Sequence, residues 1–216
     1  MRIKISGKIL SKTKPEKVFY AYEMYSVLLS TMNPDRAKEL HNQHSKKFRL
    51  FTFSNIYLHE DTFHFYVSGM DDLIQEVIDA IELSNMKRVG DMMLSITNIT
   101  IVPALQKKDK YIFKGKVITS YTIDGLKVRI EDEKEIENRL KEISQRKLKA
   151  LGIEGDIHFE IIQKKPVSTF YKDDIYLPSW KAVLLVKGDY EAIQAIYEVG
   201  FGENTATAHG LLWEVV

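Results

Sequence analysis

A chain of 216 residues, 44 % hydrophobic and 11 % aromatic, can fill one full core or two smaller cores of about a hundred residues each, so disorder is not its default. The absence of cysteine excludes disulfides and thiolate metal sites, and a net charge of +1 means that any footprint for a polyanion must be local. Residues 1–10 alternate in character without a long apolar run, which reads as a first strand rather than a signal peptide. No stretch is apolar enough to span a bilayer, so no membrane association and a cytoplasmic location are expected.

Residues 2–9 alternate with period two and predict a strand, whereas 20–32 place Tyr22, Tyr25, Leu28 and Leu29 at helical spacing. Asn33-Pro34-Asp35 ends that helix and starts another, with Asn33 as cap, Pro34 at the first helical position and Ala37 and Leu40 on its apolar face. This second helix ends near His41 to His44. Residues 51–55 and 57–69, the latter split by Glu60-Asp61, predict strands with Phe63, Phe65 and Val67 on one face. A helix through Leu73, Val77, Ile78 and Ile81 and a strand over 92–102 close a β-α-β-β-α-β unit with an accessory helix.

After the polar stretch 106–110 the pattern restarts. A strand over 111–122 with a short hairpin near Gly125 is followed by a charged helix over 131–151, strands over 157–163 and 180–187, a helix over 190–199 and a last strand over 211–216. The expected fold is therefore α+β, two tandem ferredoxin-like (βαββαβ) domains with antiparallel sheets, 1–105 and 110–216.

Between the last helix and strand lies a loop longer than a turn requires, with Gly200, Gly202 and Gly210 and the polar Asn204, Thr205, Thr207 and His209. Glycines allow backbone N–H groups to converge on a phosphate oxygen, and hydroxyl and amide side chains add donors. A glycine-ended helix followed by an ordinary polar loop fits the same letters.

The run Trp180-Lys-Ala-Val-Leu-Leu-Val-Lys-Gly188, then Ala195-Ile-Tyr-Glu-Val-Gly-Phe-Gly-Glu-Asn204, resembles the closing signature of the CRISPR-associated endoribonucleases that cut repeat transcripts into guide RNAs. Asn33-Pro34, Leu40-His41 and Lys46-Lys47-Phe48-Arg49-Leu50-Phe51-Thr52-Phe53-Ser54 resemble that family's active-site region, so the resemblance spans the chain. Two departures are visible. The family's second glycine triplet is here Gly210-Leu211-Leu212, and its helical tyrosine falls at Ser26, with Tyr22 and Tyr25 nearby.

The resemblance implies metal-independent cleavage without a cofactor, in which the ribose 2′-OH attacks the adjacent phosphate to leave a 2′,3′-cyclic phosphate and a 5′-OH. It implies His41 as principal acid or base, His44 as its helper, Lys46 and Lys47 as charge stabilisers, Arg49 as a further RNA contact and Tyr22 as the tyrosine. Histidine suits either proton transfer near neutrality, and a nearby cation stabilises charge building on the phosphorane. Without the resemblance, His41 and His44 read more simply as solvated histidines on a helix C-terminus. No nearby carboxylate or cysteine completes a metal ligand set around them.

The glycine loop would then clamp RNA backbone through Gly200, Gly202, Asn204, Thr205, Thr207, His209 and Gly210, with Lys164 and Lys165 on an arm before Trp180. The implied partner is CRISPR repeat RNA; other CRISPR effector subunits and a homodimer are allowed. The alternative within the family is a noncatalytic RNA-binding subunit of an effector complex.

Overall fold

The computed structural model describes residues 1–14, 19–41, 49–124, 126–172 and 175–215, with side chains left out at His41 and Lys172. The first half of the chain runs β1 (Arg2–Lys12), α1 (Ala21–Thr31), α2 (Pro34–His41), β2 (Phe51–Phe53), β3 (Tyr57–His59), β4 (Thr62–Gly69), α3 (Asp71–Leu83), β5 (Met86–Val89) and β6 (Met92–Val102). These strands form an antiparallel sheet in the order β2-β4-β1-β6-β5, with β3 also paired to β4. Taken alone, β2, β4, β1 and β6 have the strand order of one βαββαβ unit, to which β3 and β5 are additions.

Strand alternation decides which face becomes core. Ile3 stands opposite Val67 and Ile5 opposite Phe65, and all four are buried beneath α1 and α3, which bring Met24, Leu28, Ile74 and Val77. Strand β5 was not expected, because the sequence Met-Lys-Arg-Val offers little alternation; it exists by pairing with β6.

The second half runs β7 (Tyr111–Val117), β8 (Ser120–Ile123), β9 (Leu126–Arg129), α4 (Glu133–Leu151), β10 (Ile157–Lys172), β11 (Ile175–Gly188), α5 (Tyr190–Val199) and β12 (Trp213–Glu214). Its sheet has the order β10-β11-β7-β12, again that of a ferredoxin-like unit, while β8 and β9 form a separate ribbon. Asp132 caps α4 by accepting from the Glu135 N–H, and Gly152 ends the helix in the left-handed region. The apolar stripe of α4, Ile136, Leu140 and Ile143, is buried.

Three boundaries differ from the sequence expectation. The strands expected over 157–163 and 180–187 are one long hairpin of 16 and 14 residues, so Lys164 and Lys165 lie on a strand rather than a loop. Pairing runs from Ile157–Gly188 to Lys172–Ile175, and the β-branched and aromatic residues Val167, Thr169, Phe170 and Tyr176 favour it. Pro166 is tolerated because β10 lies at the sheet edge.

The strand expected over 111–122 breaks after Val117, where the carbonyls of Ile118 and Thr119 accept from Glu203 and Ile130 instead of a ladder. The last strand shrinks to Trp213–Glu214, since Leu211 and Leu212 are taken into buried packing.

The two sheets are tied across their junction. The Arg2 guanidinium is buried, donates to the Tyr197 and Leu212 carbonyls at 2.6 and 2.9 Å, and lies 3.6 Å from the Tyr197 ring centroid. Burial lowers its pKa to about 10, so it remains charged at neutral pH. Among the described residues no helix is long and apolar enough to cross a membrane.

Candidate nucleic-acid interface

The glycine-rich loop is folded back on itself. Gly200, Gly202 and Gly210 have φ of 94°, 72° and 79°, and Asn204 and Ala208 adopt positive φ on either side of a short 3-10 turn, Thr205–Thr207. At Gly202 a Cβ would stand 2.7 Å from the Ile118 carbonyl oxygen, and at Gly210 it would strike the Phe201 carbonyl. The glycines therefore permit close packing here.

The N–H groups of Gly200, Phe201, Glu203 and Gly210 donate to the carbonyls of Ile196, Gly210, Ile118 and Lys116, so these four amides are engaged inside the protein. Thr205, Thr207 and His209 are buried, while Asn204 is exposed. The Thr207 hydroxyl donates to the Asn204 carbonyl at 2.6 Å. His209 has Nδ1 2.8 Å from the Thr207 carbonyl oxygen and, among the described residues, no partner for Nε2. Burial, reinforced by Lys116 and opposed by the Thr207 hydrogen bond, lowers its pKa to about 4 and keeps the imidazole neutral.

One flank of the loop forms the wall of a cleft of about 360 Å³. Its other lining residues include Arg49, Lys127 from β9, and Arg139, Arg146 and Lys147 from α4. Lys147 is 2 % exposed, and its ammonium donates to the carbonyls of Gly200 and Gly202 at 2.6 and 3.0 Å, fixing the start of the loop to α4. Burial lowers its pKa to about 7 against the pull of Glu203.

Glu203 sits among these cations. One carboxylate oxygen accepts from Arg139 Nε and Nη2 at 3.0 and 2.8 Å, and the other from Lys127 at 2.7 Å and the Ser120 hydroxyl at 2.8 Å. Burial raises its pKa, but these donors outweigh burial and hold the carboxyl below its ordinary range.

Sequence reasoning missed Lys127, Arg139, Arg146 and Lys147, reading 131–151 only as a charged helix. One signal was available. Lys147 follows Ile143 by four residues and Leu140 by seven, so the lysine falls on the helix's own apolar stripe.

On the other side of the loop, α2 ends at His41. The His41 side chain, and His44, Lys46 and Lys47 entirely, lie outside the described residues. The residues that flank them in the chain are described. The Leu40 carbonyl, one residue before His41, accepts from the Tyr25 hydroxyl at 3.0 Å and from Arg49 Nε at 3.2 Å, and Arg49 lies 5.3 Å from the Tyr25 ring centroid. Tyr25 in turn stacks on Phe51.

Thr205 then donates to the Arg49 carbonyl at 3.3 Å, and Thr52 to the His209 carbonyl at 2.7 Å. The loop, Arg49 and the end of α2 are thus one packed unit. Tyr22 meets the hairpin arm instead, its ring edge-on to Tyr171 at 5.8 Å. Lys164 is engaged at the start of α4, where it donates to the Glu131 carbonyl and lies 4.7 Å from the Trp180 ring centroid. Lys165 is exposed on β10.

Two ferredoxin-like units, joined so that a glycine-rich loop of the second packs on the first beside a basic cleft, define an α+β protein of the tandem ferredoxin-like class. Residues 117–213 match the family described as CRISPR associated protein Cas6, C-terminal, in agreement with the resemblance drawn from the sequence.

Among curated proteins it is similar to the CRISPR-associated endoribonuclease Cas6 1 of Methanocaldococcus jannaschii, with 26 % identity over 91 % of this chain and 85 % of the relative. Among solved structures, one described as CRISPR associated protein Cas6 superposes with a TM-score of 0.77 at 24 % identity, covering 100 % of this chain and 99 % of the other. Another, described as an RAMP protein binding different RNA substrates, does so with a TM-score of 0.81 at 21 % identity, covering 100 % of both chains. At those identities the structural likeness speaks for the fold.

Proposed function

We propose that this protein is a metal-independent endoribonuclease of CRISPR repeat precursor RNA, built as two ferredoxin-like domains, 1–105 and 110–216, and working in the cytoplasm. The observation that carries this reading is the packing of the loop against the His41 region: Thr205 on the Arg49 carbonyl, and Arg49 and Tyr25 on the carbonyl of Leu40. An RNA backbone lying along the basic cleft would have its neighbouring phosphates close to the end of α2. The name of the Methanocaldococcus relative supports the same class of activity.

In the proposed reaction the 2′-oxygen attacks the adjacent phosphorus while a base removes its proton. The bond from phosphorus to the 5′-oxygen breaks, that oxygen gains a proton, and a 2′,3′-cyclic phosphate and a 5′-OH result. His41 carries one of the two proton transfers, with His44 as the candidate for the other. Lys46 and Lys47 supply positive charge to the phosphorane oxygens. Tyr25 has its hydroxyl on the Leu40 carbonyl, which suits it to positioning the end of α2.

The noncatalytic reading draws on one observation, that the tyrosine position of the resembling family is Ser26, whose hydroxyl bonds the Tyr22 carbonyl. A labelled repeat RNA incubated in EDTA separates the two, together with His41→Ala and a substrate carrying a 2′-deoxyribose at the cut. Cleavage lost in both controls with binding retained is the expected result. Cleavage that survives either control refutes the mechanism, and binding without any cleavage by the unaltered protein favours the subunit.

A further inference from the structure

Resting on the RNA reading above, we propose that the cleft beside the glycine-rich loop is a seat for one RNA backbone phosphate. In the RNA-free protein Glu203 fills that seat with its own carboxylate. The cleft wall carries the cationic side chains of Arg49, Lys127, Arg139 and Arg146, drawn from three separate parts of the chain, beside the buried Lys147, and Glu203 is the single acid among its lining residues. A cleft of about 360 Å³ with that lining is far more basic than a chain of net charge +1 requires. Its natural ligand is an anion.

Glu203 already makes the contacts that an anion would make. Its two oxygens take a guanidinium through Nε and Nη2, an ammonium and a hydroxyl, all between 2.7 and 3.0 Å. A phosphodiester presents two charged oxygens to the same donors, and arginine's planar fork fits either group.

The carboxylate has a path to water by rotation of its own side chain, because its partner Lys127, on the two-stranded ribbon, has a side chain that is 41 % exposed. When a phosphate enters and the carboxylate swings out to water, Lys127 and Arg139 keep an anionic partner throughout. Neither cation is stranded, which keeps the exchange close to balanced. Arg49 and Arg146, which border the cleft, then tip it toward RNA.

The test uses the full chain with an uncleavable repeat RNA, 2′-deoxy at the cut, in EDTA. Affinity is measured across a KCl series for the unaltered protein, Glu203→Gln and Lys127→Ala. Glu203→Gln keeps the side-chain shape and removes the competing charge, so RNA should bind about threefold to fivefold tighter, the worth of one favourable ion pair. Lys127→Ala should bind severalfold weaker, with the slope of log affinity against log salt reduced by about 0.7.

A Glu203→Gln protein that melts like the parent yet binds equally or more weakly overturns the proposal, since the carboxylate would then only be organising Arg139. Lys127→Ala with unchanged affinity and slope overturns it independently, even if Glu203→Gln fails to fold. Failure of the unaltered protein to bind RNA at all would instead sink the RNA reading itself.

Discussion

Replacing Lys147 by methionine probes the bond between α4 and the glycine loop, and its effect on stability should depend on pH. The folded protein holds this ammonium with a pKa of about 7, against an ordinary value of 10.5. Below pH 7 both folded and unfolded chains carry the proton, and above 10.5 neither does. Between those values the unfolded chain binds a proton that the folded one lacks, so stability rises with pH. Each unit is worth about 1.4 kcal/mol, which makes the rise about 2–3 kcal/mol from pH 7 to 9.

The methionine variant removes the titration along with the two bonds to the Gly200 and Gly202 carbonyls. Those bonds, at about 1.5–3 kcal/mol each, offset much of the burial cost at neutral pH, so the two proteins should be of similar stability at pH 7. By pH 9 the unaltered protein should be ahead by about 2–3 kcal/mol. Urea unfolding of both proteins at pH 7, 8 and 9 measures the gap. Stabilities that change in parallel across the series would refute the reasoning.

Other expectations follow from the same geometry. Gly202→Ala adds a methyl at positive φ against the Ile118 carbonyl oxygen and should cost about 1–3 kcal/mol in denaturant unfolding. His209, neutral in the fold with a pKa of about 4, takes up a proton more readily when unfolded, so stability should fall between pH 6.5 and 4. The drop should be smaller in His209→Gln when both are melted across that range, the remainder coming from carboxylates such as Glu203 whose pKa is lowered in the fold. Tyr25→Phe loses the bond to the Leu40 carbonyl, and single-turnover kinetics should show severalfold slower cleavage with unchanged RNA affinity, at about 1 kcal/mol lower stability.

The architecture was legible in the sequence wherever one face of an element was apolar. Phe63, Phe65 and Val67 announced β4, and Leu73 and Val77 announced α3, because burial on one side imposes the period directly. The long arm was not legible, since Lys164, Lys165 and Pro166 interrupt its pattern and its outer part is held by strand pairing more than by side-chain burial.

The glycine loop was recognised, but the use of its glycines was not. Positive φ and a deleted Cβ serve close packing as well as open amides, and only the partners of each N–H distinguish the two. The cleft was hidden for a related reason. Lys127, Arg139 and Arg146 are distant from Arg49 in the chain, and each by itself looks like any solvated cation.

The edge strand β10 bears on whether a further strand can join this sheet. Sixteen residues of edge strand are in principle a template on which another strand extends the sheet. This edge resists such growth. Pro166 has no N–H to offer, register shifts between Ile161 and Gln163 and between Phe170 and Lys172 bend the ladder, and His158, Glu160, Lys164 and Lys165 scatter charge along it. Strand addition is disfavoured at this edge, and the arm stays a two-stranded hairpin that ends at β10.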